Sequence, residues 1–249
     1  MKIRKLAAIA AAFFTFLPTA LQAQGYQVQP MLASIEPTGS GSHLTMSITN
    51  TGAVTITLEF IPFRATVDNA GTPNRVDEDA DLMVYPAQAA IEPGDEQAIQ
   101  LRYVGDPALS EARMYGVRIS QLPVSAPGFS SGNGKAGASS DVKISFNFLS
   151  HIIVSPPSAS ATMSVKDAGR AANGDLNLRI ENNGNGIAVL NASEFTLTDE
   201  KGTAIVLAAD DLSFGDFSAF MPNQARDATV RGTRISELFG AITPTLLME

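Results

Sequence analysis

The feature that most constrains the fold of this chain is a succession of short runs in which apolar and polar residues alternate. A period of two gives a strand one apolar face, and the Gly, Pro, Asn and Asp residues between the runs tolerate the backbone angles of turns. Helical periodicity is nearly absent beyond the first 23 residues, so the pattern predicts antiparallel β-sandwiches. The predicted strands are 27–36, 43–50, 54–63, 82–85, 96–103, 112–121, 161–165, 175–181, 187–190, 193–198 and 204–207, with a last strand within 240–248.

One short pattern occurs twice, at a constant offset of 132 residues. The first copy is Leu44, Met46, Ile48, Asn50 and Gly52, and the second is Leu176, Leu178, Ile180, Asn182 and Gly184. In each copy, alternating apolar residues would enter a core and Asn-x-Gly would end the strand. We therefore expect an all-β protein with two tandem immunoglobulin-like β-sandwich domains set at an angle. Convergent strand patterning is the alternative explanation of the match.

Pro156 and Pro157 mark the expected boundary between the two domains. Neither residue can donate a backbone hydrogen bond, and consecutive prolines stiffen a connection. The expected organisation is a signal peptide at 1–23, an N-terminal domain at 24–154, a hinge at 155–160 and a C-terminal domain at 161–249. A short, stiff hinge implies a fixed cleft between the domains.

The N-terminus has the composition of a secretory signal peptide. Three basic residues, Lys2, Arg4 and Lys5, precede an apolar run at 6–17, which is followed by Pro18 and a small-residue site that ends at Ala23. The run is too short to span a bilayer comfortably, and no later stretch approaches the roughly 20 apolar residues that a spanning helix needs. We expect an exported, periplasmic protein without membrane insertion.

Charge and cysteine content narrow the possible functions. Removal of residues 1–23 would take three of the 17 basic residues and none of the 25 acidic ones, which leaves a formal charge of −11. Nucleic acid is therefore not an expected partner. The chain has no cysteine, which excludes disulfides, thiol chemistry and Cys-based zinc sites. Hydrophobic packing must carry the stability of both domains.

Residues 141–157 contain a strand with one row of large apolar side chains. The row consists of Val142, Ile144, Phe146 and Phe148, and it follows a loop at 126–140 that is rich in Gly and Ser. Such a row can be the core face of any half-buried strand. Alternatively, it is held for a partner, because a loop of this composition can become ordered on binding.

Several segments follow one another in a familiar order: Val84-Tyr85-Pro86, Ile91-Glu92-Pro93-Gly94, 97–102, 111–115 and Leu122-Pro123. A proline, a Pro-Gly turn, an Arg-containing strand, an Arg/Tyr-containing strand and another proline precede the loop and the strand at 141–157. This arrangement resembles the periplasmic pilus-assembly chaperones of the chaperone–usher pathway. Arg113-x-Tyr115 is similar to their archaic or alternative branch. The resemblance covers most of the first domain and, in the second, only a sandwich of suitable length.

The resemblance implies a chaperone that folds, caps and delivers pilus subunits by donor-strand complementation, without catalysis or cofactor. A subunit that lacks its last strand exposes an apolar groove and unpaired backbone groups, and a strand lent by the chaperone covers both. The expected partners are pilus subunits and an outer-membrane usher. The residues that match the donor positions are Val142, Ile144, Phe146 and Phe148.

The best-known members of that family anchor the subunit's C-terminal carboxylate with two basic residues in the interdomain cleft. In this chain those positions fall at Ser34 and His151, and neither carries a permanent charge. His151 is either a structural histidine or a group that becomes cationic in mildly acidic conditions. Other candidates are Arg102 and Arg113, expected on neighbouring strands, and Tyr115. A structural ion pair is the alternative role for the two arginines.

Enzymatic and metal-binding functions lack the motifs that they need. Residues 128–132, Gly-Phe-Ser-Ser-Gly, fit Gly-x-Ser-x-Gly, but they lie in the Gly- and Ser-rich loop with no predicted helix after them, so they do not form a nucleophile elbow. In the overlapping phosphate-loop-like segment 128–135, the glycine spacing is one residue too long. His43 and His151 are the only histidines, and neither has a second histidine four residues on. The carboxylates at 77–81 lack a glycine-centred calcium loop. We expect no enzyme, no metal and no small-molecule substrate.

Two other functional classes remain. A secreted structural or adhesive protein with two immunoglobulin-like domains would share the fold and need no open edge. A pilus subunit would show one incomplete domain with an N-terminal donor extension, which two complete domains argue against. The availability of the strand at 141–149 for pairing with another chain distinguishes these possibilities.

Overall fold

The computed structural model describes residues 25–77, 80–122 and 146–248, and strands account for most of their regular structure. The first domain contains β1 (Tyr26–Gln29), β2 (Leu32–Ile35), β3 (His43–Asn50), β4 (Ile56–Val67), β5 (Pro73–Asp77), β6 (Leu82–Tyr85), β7 (Gln88–Ile91), β8 (Glu96–Tyr103), β9 (Arg113–Gln121) and β10 (Asn147–Val154). The second contains β11 (Met163–Arg170), β12 (Leu176–Asn182), β13 (Ala188–Val189), β14 (Glu194–Asp199), β15 (Ala204–Ala208), β16 (Leu212–Ser213), β17 (Ala219–Phe220), β18 (Gln224–Val230) and β19 (Ile242–Leu247). Short 3-10 helices lie at Gly39–Ser42, Ala209–Asp211 and Gly232–Arg234. The prediction of two tandem immunoglobulin-like sandwiches is confirmed.

Two sheets form the first domain. One has the order β1-β3-β8-β6, and the other has the order β2-β10-β9-β4-β5, with β7 paired to the start of β4. All of these pairings are antiparallel except that of β2 with β10. The sheets face each other across a core that includes Met46, Ile48, Leu58, Ile99, Tyr115, Val117, Ile119 and Ile152. Alternate residues of each strand enter this core, as the sequence pattern predicts.

The second domain has its own core. Its sheets have the orders β11-β12-β18-β16 and β15-β14-β19, and a separate pair joins β13 to β17. The enclosed side chains include Leu176, Leu178, Ile180, Leu190, Phe195, Leu197, Phe220 and Val230. Two separate cores account for two domains without disulfides, because burial of apolar area is the main favourable contribution to folding.

The repeated pattern has the same structure in both domains. Asn50 ends β3 and Asn182 ends β12, and both side chains are fully buried. Each Oδ1 accepts a hydrogen bond from the backbone N–H two residues on, at 2.9 Å from Gly52 and 3.1 Å from Gly184. The predicted strand end is therefore confirmed, and the asparagine that forms it belongs to the interior.

Several predicted strand bounds need correction. The run at 27–36 is two strands in opposite sheets, because Pro30 cannot continue the ladder, and so β1 pairs with β3 and β2 with β10. The prediction that Arg102 and Arg113 lie on neighbouring strands is wrong, because β8 and β9 belong to different sheets. The runs at 43–50, 82–85 and 96–103 agree with β3, β6 and β8 in both bounds. Within the described residues, no helix has the length and apolarity needed to cross a bilayer.

Candidate functional site

Within the described part of the chain, half of β10 has a strand on each side. Residues 147–154 pair along their whole length with β9, whereas β2 accompanies only 151–154. Within the described ranges, residues 147–150 therefore have no strand on the side opposite β9. Pairing with β2 starts where the backbone N–H of His151 donates to the carbonyl of Met31, at 2.9 Å. An edge of this kind is the element to which another chain can add a strand.

Aromatic side chains surround the open end of β10. Phe146 is 38% exposed, whereas Phe148 packs against the core of the first domain. The ring of Tyr26 meets that of Phe148 edge-on, with centroids 4.8 Å apart. The Tyr26 hydroxyl donates to the carbonyls of Phe146, at 3.0 Å, and Ile119, at 3.1 Å. Apolar surface thus continues from the core to the open edge.

The four predicted donor residues fall in different environments. Val142 and Ile144 lie outside the described residues. Phe146 is exposed beside the open edge, and Phe148 is partly buried. The same face of β10 continues into the core with Ser150, Ile152 and Val154, all buried. The described part of the row therefore changes from core packing at its C-terminal end to exposure at Phe146.

The other face of β10 contacts the second domain. Leu149, His151 and Ile153 point toward an apolar cluster whose fully enclosed members in the first domain are Phe63, Ala65 and Met114. The second domain contributes Ala219 to this interdomain cluster, and the partly buried residues Ile187, Val189, Phe217 and Met221 pack against it. One strand therefore serves the first-domain core on one side and the interdomain contact on the other.

His151 lies between aromatic rings from both domains. Its ring centroid is 5.6 Å from that of Phe63 and 5.1 Å from that of Phe217. Burial, followed by repulsion from the Arg75 guanidinium, lowers the pKa of His151 to about 4. Its Nε2 atom is buried and has no hydrogen-bond partner within the described structure. With this pKa His151 stays neutral in mildly acidic conditions, which favours the structural alternative over a cationic role.

Arg75, which the sequence did not single out, is the cation beside His151. It lies on β5 opposite Ala65, and its Cζ atom is 6.0 Å from the Phe63 ring centroid and 5.8 Å from that of Phe217. Its Nε atom is buried and has no hydrogen-bond partner in the part of the chain described. A guanidinium held over two rings provides a positive charge with donor capacity in reserve.

The remaining candidates do not gather around His151. Ser34 is exposed on β2, where its register partner is Ile153. Arg102 is exposed on β8, in the sheet that does not contact the second domain through the interdomain cluster. Tyr115 is fully buried in the core, and its hydroxyl donates to Asp81 Oδ2 at 2.7 Å. Arg113 is half-buried beside Tyr115.

The acidic segment and the histidines do not form a metal site in the described residues, where no group of three or more potential ligands is arranged to hold an ion. Asp77 forms an ion pair with Arg118 at 3.0 Å, and Asp81 accepts the Tyr115 hydrogen bond. Glu78 and Asp79 lie outside the described residues. The two described carboxylates of this acidic segment, Asp77 and Asp81, therefore have partners within the protein.

Comparison with known proteins identifies the fold. No family model and no curated protein sequence matches the chain. Among solved structures, the class 5 fimbriae chaperone CfaA aligns with a TM-score of 0.56 and 13% identity, over 90% of this chain and 93% of that one. A chain of the CsuC–CsuE chaperone–tip adhesion subunit complex, from archaic chaperone–usher Csu pili of Acinetobacter baumannii, gives 0.54 and 14%, over 82% and 86%. A chain of the Salmonella enterica SafA pilin–SafB chaperone complex gives 0.53 and 14%, over 92% and 99%. The chain has the two-domain fold of the fimbrial chaperones.

Proposed function

We propose that this protein is a periplasmic chaperone of pilus subunits that acts by donor-strand complementation. The observation that carries the proposal is the open edge at residues 147–150, beside the exposed ring of Phe146. The shared fold and the ordered motifs between Val84 and Pro123 support it. Residues 1–23 would be removed on export, so that the mature chain begins at Gln24.

An incomplete sandwich lacks a strand to pair with its open sheet and side chains to fill its apolar groove, and the open edge can provide both. The edge of β10 that no described strand covers can continue a subunit's sheet, and the exposed ring of Phe146 can enter the groove left by the missing strand. Val142 and Ile144 are separated from Phe146 and Phe148 by even numbers of residues, so in a continuous strand all four side chains would point to the same face. Val142 and Ile144 would thus extend the apolar row into the groove of a bound subunit. The cycle would need neither nucleotide nor metal, because the subunit's own folding free energy drives it.

A carboxylate in place of one aromatic side chain tests this proposal. Phe146→Asp should leave the protein folded and abolish subunit capture, since a charge is strongly disfavoured in an apolar groove. The matched control is Phe239→Asp, because Phe239 is 60% exposed on the second domain. The measurement is native mass spectrometry of the tagged mature protein, purified from the periplasm of a host that expresses the pilus.

The parent and the Phe239→Asp variant should each carry one small β-rich subunit. Normal retention of that subunit by folded Phe146→Asp and Ile144→Asp variants would contradict donor-strand complementation. A lone monomer or homo-oligomer in every sample would instead favour a secreted structural or adhesive protein with two immunoglobulin-like domains.

Arg75 is the residue that we propose for the subunit's terminal carboxylate. It combines a permanent charge with an Nε atom that has no hydrogen-bond partner among the described residues, whereas Ser34 and neutral His151 offer no cation and Tyr115 is enclosed. Arg75→Gln should weaken subunit retention, while Arg118→Gln, on the same sheet, should not. Arg102→Gln and Arg113→Gln provide the comparison for the two arginines predicted from sequence.

A further inference from the structure

The turn between β4 and β5, residues 68–71, has a shape fixed by its own hydrogen bonds. Asp68 Oδ1 accepts from the backbone N–H groups of Ala70, at 2.9 Å, and Thr72, at 2.8 Å. The N–H of Gly71 donates to the carbonyl of Asp68 at 3.0 Å. An aspartate that binds the backbone in this way stabilises a turn locally. The turn is therefore a preformed projection of the first domain.

This projection meets the second domain at two glycines. A Cβ atom placed on Gly71 would lie 2.6 Å from the carbonyl oxygen of Phe214 and 2.7 Å from the Cα atom of Gly215. A Cβ atom on Gly215 would lie 2.4 Å from the carbonyl oxygen of Ala70 and 2.5 Å from the Cα atom of Gly71. Both glycines have positive φ, +80° and +102°. Only two residues without side chains let the domains approach this closely.

Gln224 binds the same turn from the second domain. Its Nε2 atom donates to the carbonyls of Val67, at 2.7 Å, and Asp68, at 2.8 Å. Its Oε1 atom accepts from the backbone N–H of Met221, at 2.9 Å, and from Arg226 Nη2, at 2.7 Å. The Gln224 side chain is buried, so its amide joins the domains with one end fixed in each.

A second polar contact lies elsewhere on the interface, at Asn185. The carbonyl of Asn185 accepts from the N–H of Ala112 at 2.8 Å, and its Nδ2 atom donates to the carbonyl of Ser110 at 2.9 Å. Its Oδ1 atom accepts from the N–H of Ser160, in the linker between the domains, at 3.0 Å. The second domain is thus tied to the β8–β9 loop as well as to the β4–β5 turn.

We propose that the turn at 68–71 and Gly215 form a steric interlock that sets the angle between the two domains in the absence of any partner. Two domains joined only by a linker can rotate relative to each other, and with one additional contact they can still rotate about that contact. Two separated contacts together with the interdomain cluster remove that freedom. Phe217, on the second domain, would then keep one position relative to Arg75 and His151 on the first. The inference concerns the free protein and stands independently of the proposed function.

Spin-label distances test the interlock directly. The chain has no cysteine, so Glu96→Cys and Glu237→Cys give one label site on each domain, both at exposed positions. Gly71→Ala and Gly215→Ala should displace and broaden the interdomain distance distribution. Gly94→Ala and Gly169→Ala are the controls, because they have similar φ values of +83° and +97° with nothing within 4 Å of the new methyl group. These controls should reproduce the parent distribution.

Gln224→Glu provides a second test of the interlock, which can be used if the glycine variants fail to fold. It keeps the acceptor for Met221 and Arg226 but replaces the donor that faces the Val67 and Asp68 carbonyls. A broadened distribution in this variant supports the interlock. The proposal is overturned if the folded variants match the parent in width and position, or if the parent distribution is already as broad as that of two freely rotating domains.

Discussion

Asn50 in the first domain and Asn182 in the second make three equivalent hydrogen bonds, and Asn182 makes two more, from the N–H of Thr162 and to the carbonyl of Met221. Each Nδ2 atom donates to the carbonyl four residues on, at 2.9 Å for Val54 and 2.8 Å for Gly186. Each also donates to a carbonyl at a strand that closes the sandwich, at 2.9 Å for Ile91 and 3.3 Å for Phe220. A buried amide that satisfies several backbone groups fixes how a strand end meets the opposite sheet.

Replacement of either asparagine by alanine should therefore be costly. Asn50→Ala and Asn182→Ala each leave buried carbonyls without a donor, and we expect each to lower the free energy of unfolding by about 2–4 kcal/mol. Asn74→Ala, at an exposed position on β5, is the control and should change it little. Urea denaturation provides the measurement. A loss below about 0.5 kcal/mol in both variants would contradict the common structural role.

Stability should depend on pH through His151. In the unfolded chain this imidazole takes up a proton near pH 6.5, whereas in the folded protein its pKa is lowered to about 4. Between these values the unfolded state binds more protons, so stability falls as pH falls from 6.5 to 4 and levels off below. The full loss should be roughly 3 kcal/mol.

Urea denaturation at pH 7.5 and pH 4.5, in parent and His151→Leu proteins, measures this contribution. The leucine variant should lose about 2 kcal/mol less than the parent over that interval. His43→Gln removes the only other histidine and should retain the parent dependence. Equal pH dependence in the parent and His151→Leu would show that His151 takes up its proton equally well in the folded protein.

Tyr115→Phe separates a core role from a binding role. The substitution removes the hydroxyl that donates to Asp81 and leaves the buried ring in place. We expect a loss of about 1–2 kcal/mol in the free energy of unfolding and no change in subunit retention. Tyr85→Phe, at a side chain that is 75% exposed, should change neither quantity. A selective loss of retention in Tyr115→Phe would instead place this hydroxyl at the binding surface.

The two ends of the row on β10 should respond differently to truncation. Ile152 is fully buried, so Ile152→Ala should lower the free energy of unfolding by about 2–5 kcal/mol. Phe146→Ala should change it much less, because Phe146 is 38% exposed. Thermal denaturation compares the two variants. Similar destabilisation by both would mean that Phe146 belongs to the core of the free protein.

The sequence predicts the fold well wherever apolar residues alternate, and it fails where polar residues point inward. In β18 the inward row is Gln224, Arg226, Ala228 and Val230, so the strand has no apolar period and the sequence pattern does not predict it. Arg226 is buried because its guanidinium donates to the carbonyls of Phe217 and Ala219. The pKa of Arg226 is nevertheless lowered to about 10 by that burial. No local pattern shows that backbone from a neighbouring loop will supply such acceptors.

The candidate site could be predicted only in part, for a related reason. Phe146 and Phe148 stand out because their alternation lies within one short run of sequence. Arg75 does not, since it lies in a short polar segment and acquires its neighbours from β4 and from the second domain. Contacts across domains leave no trace in local spacing.

The contacts of β10 differ along its length, and these differences predict which of its residues can vary among homologous proteins. From 151 to 154 it is held by strands on both sides and contacts the core with one face and the second domain with the other. A one-residue shift of the pairing register there would exchange the core face and the interdomain face. Because both faces are buried in specific contacts, substitutions at 151–154 should be rare. Toward Phe146 the strand first loses the pairing with β2 and then the packing against the core. Homologous proteins should therefore diverge mainly at that end of the strand, where each could adapt to its own partner while the two-domain framework stays unchanged.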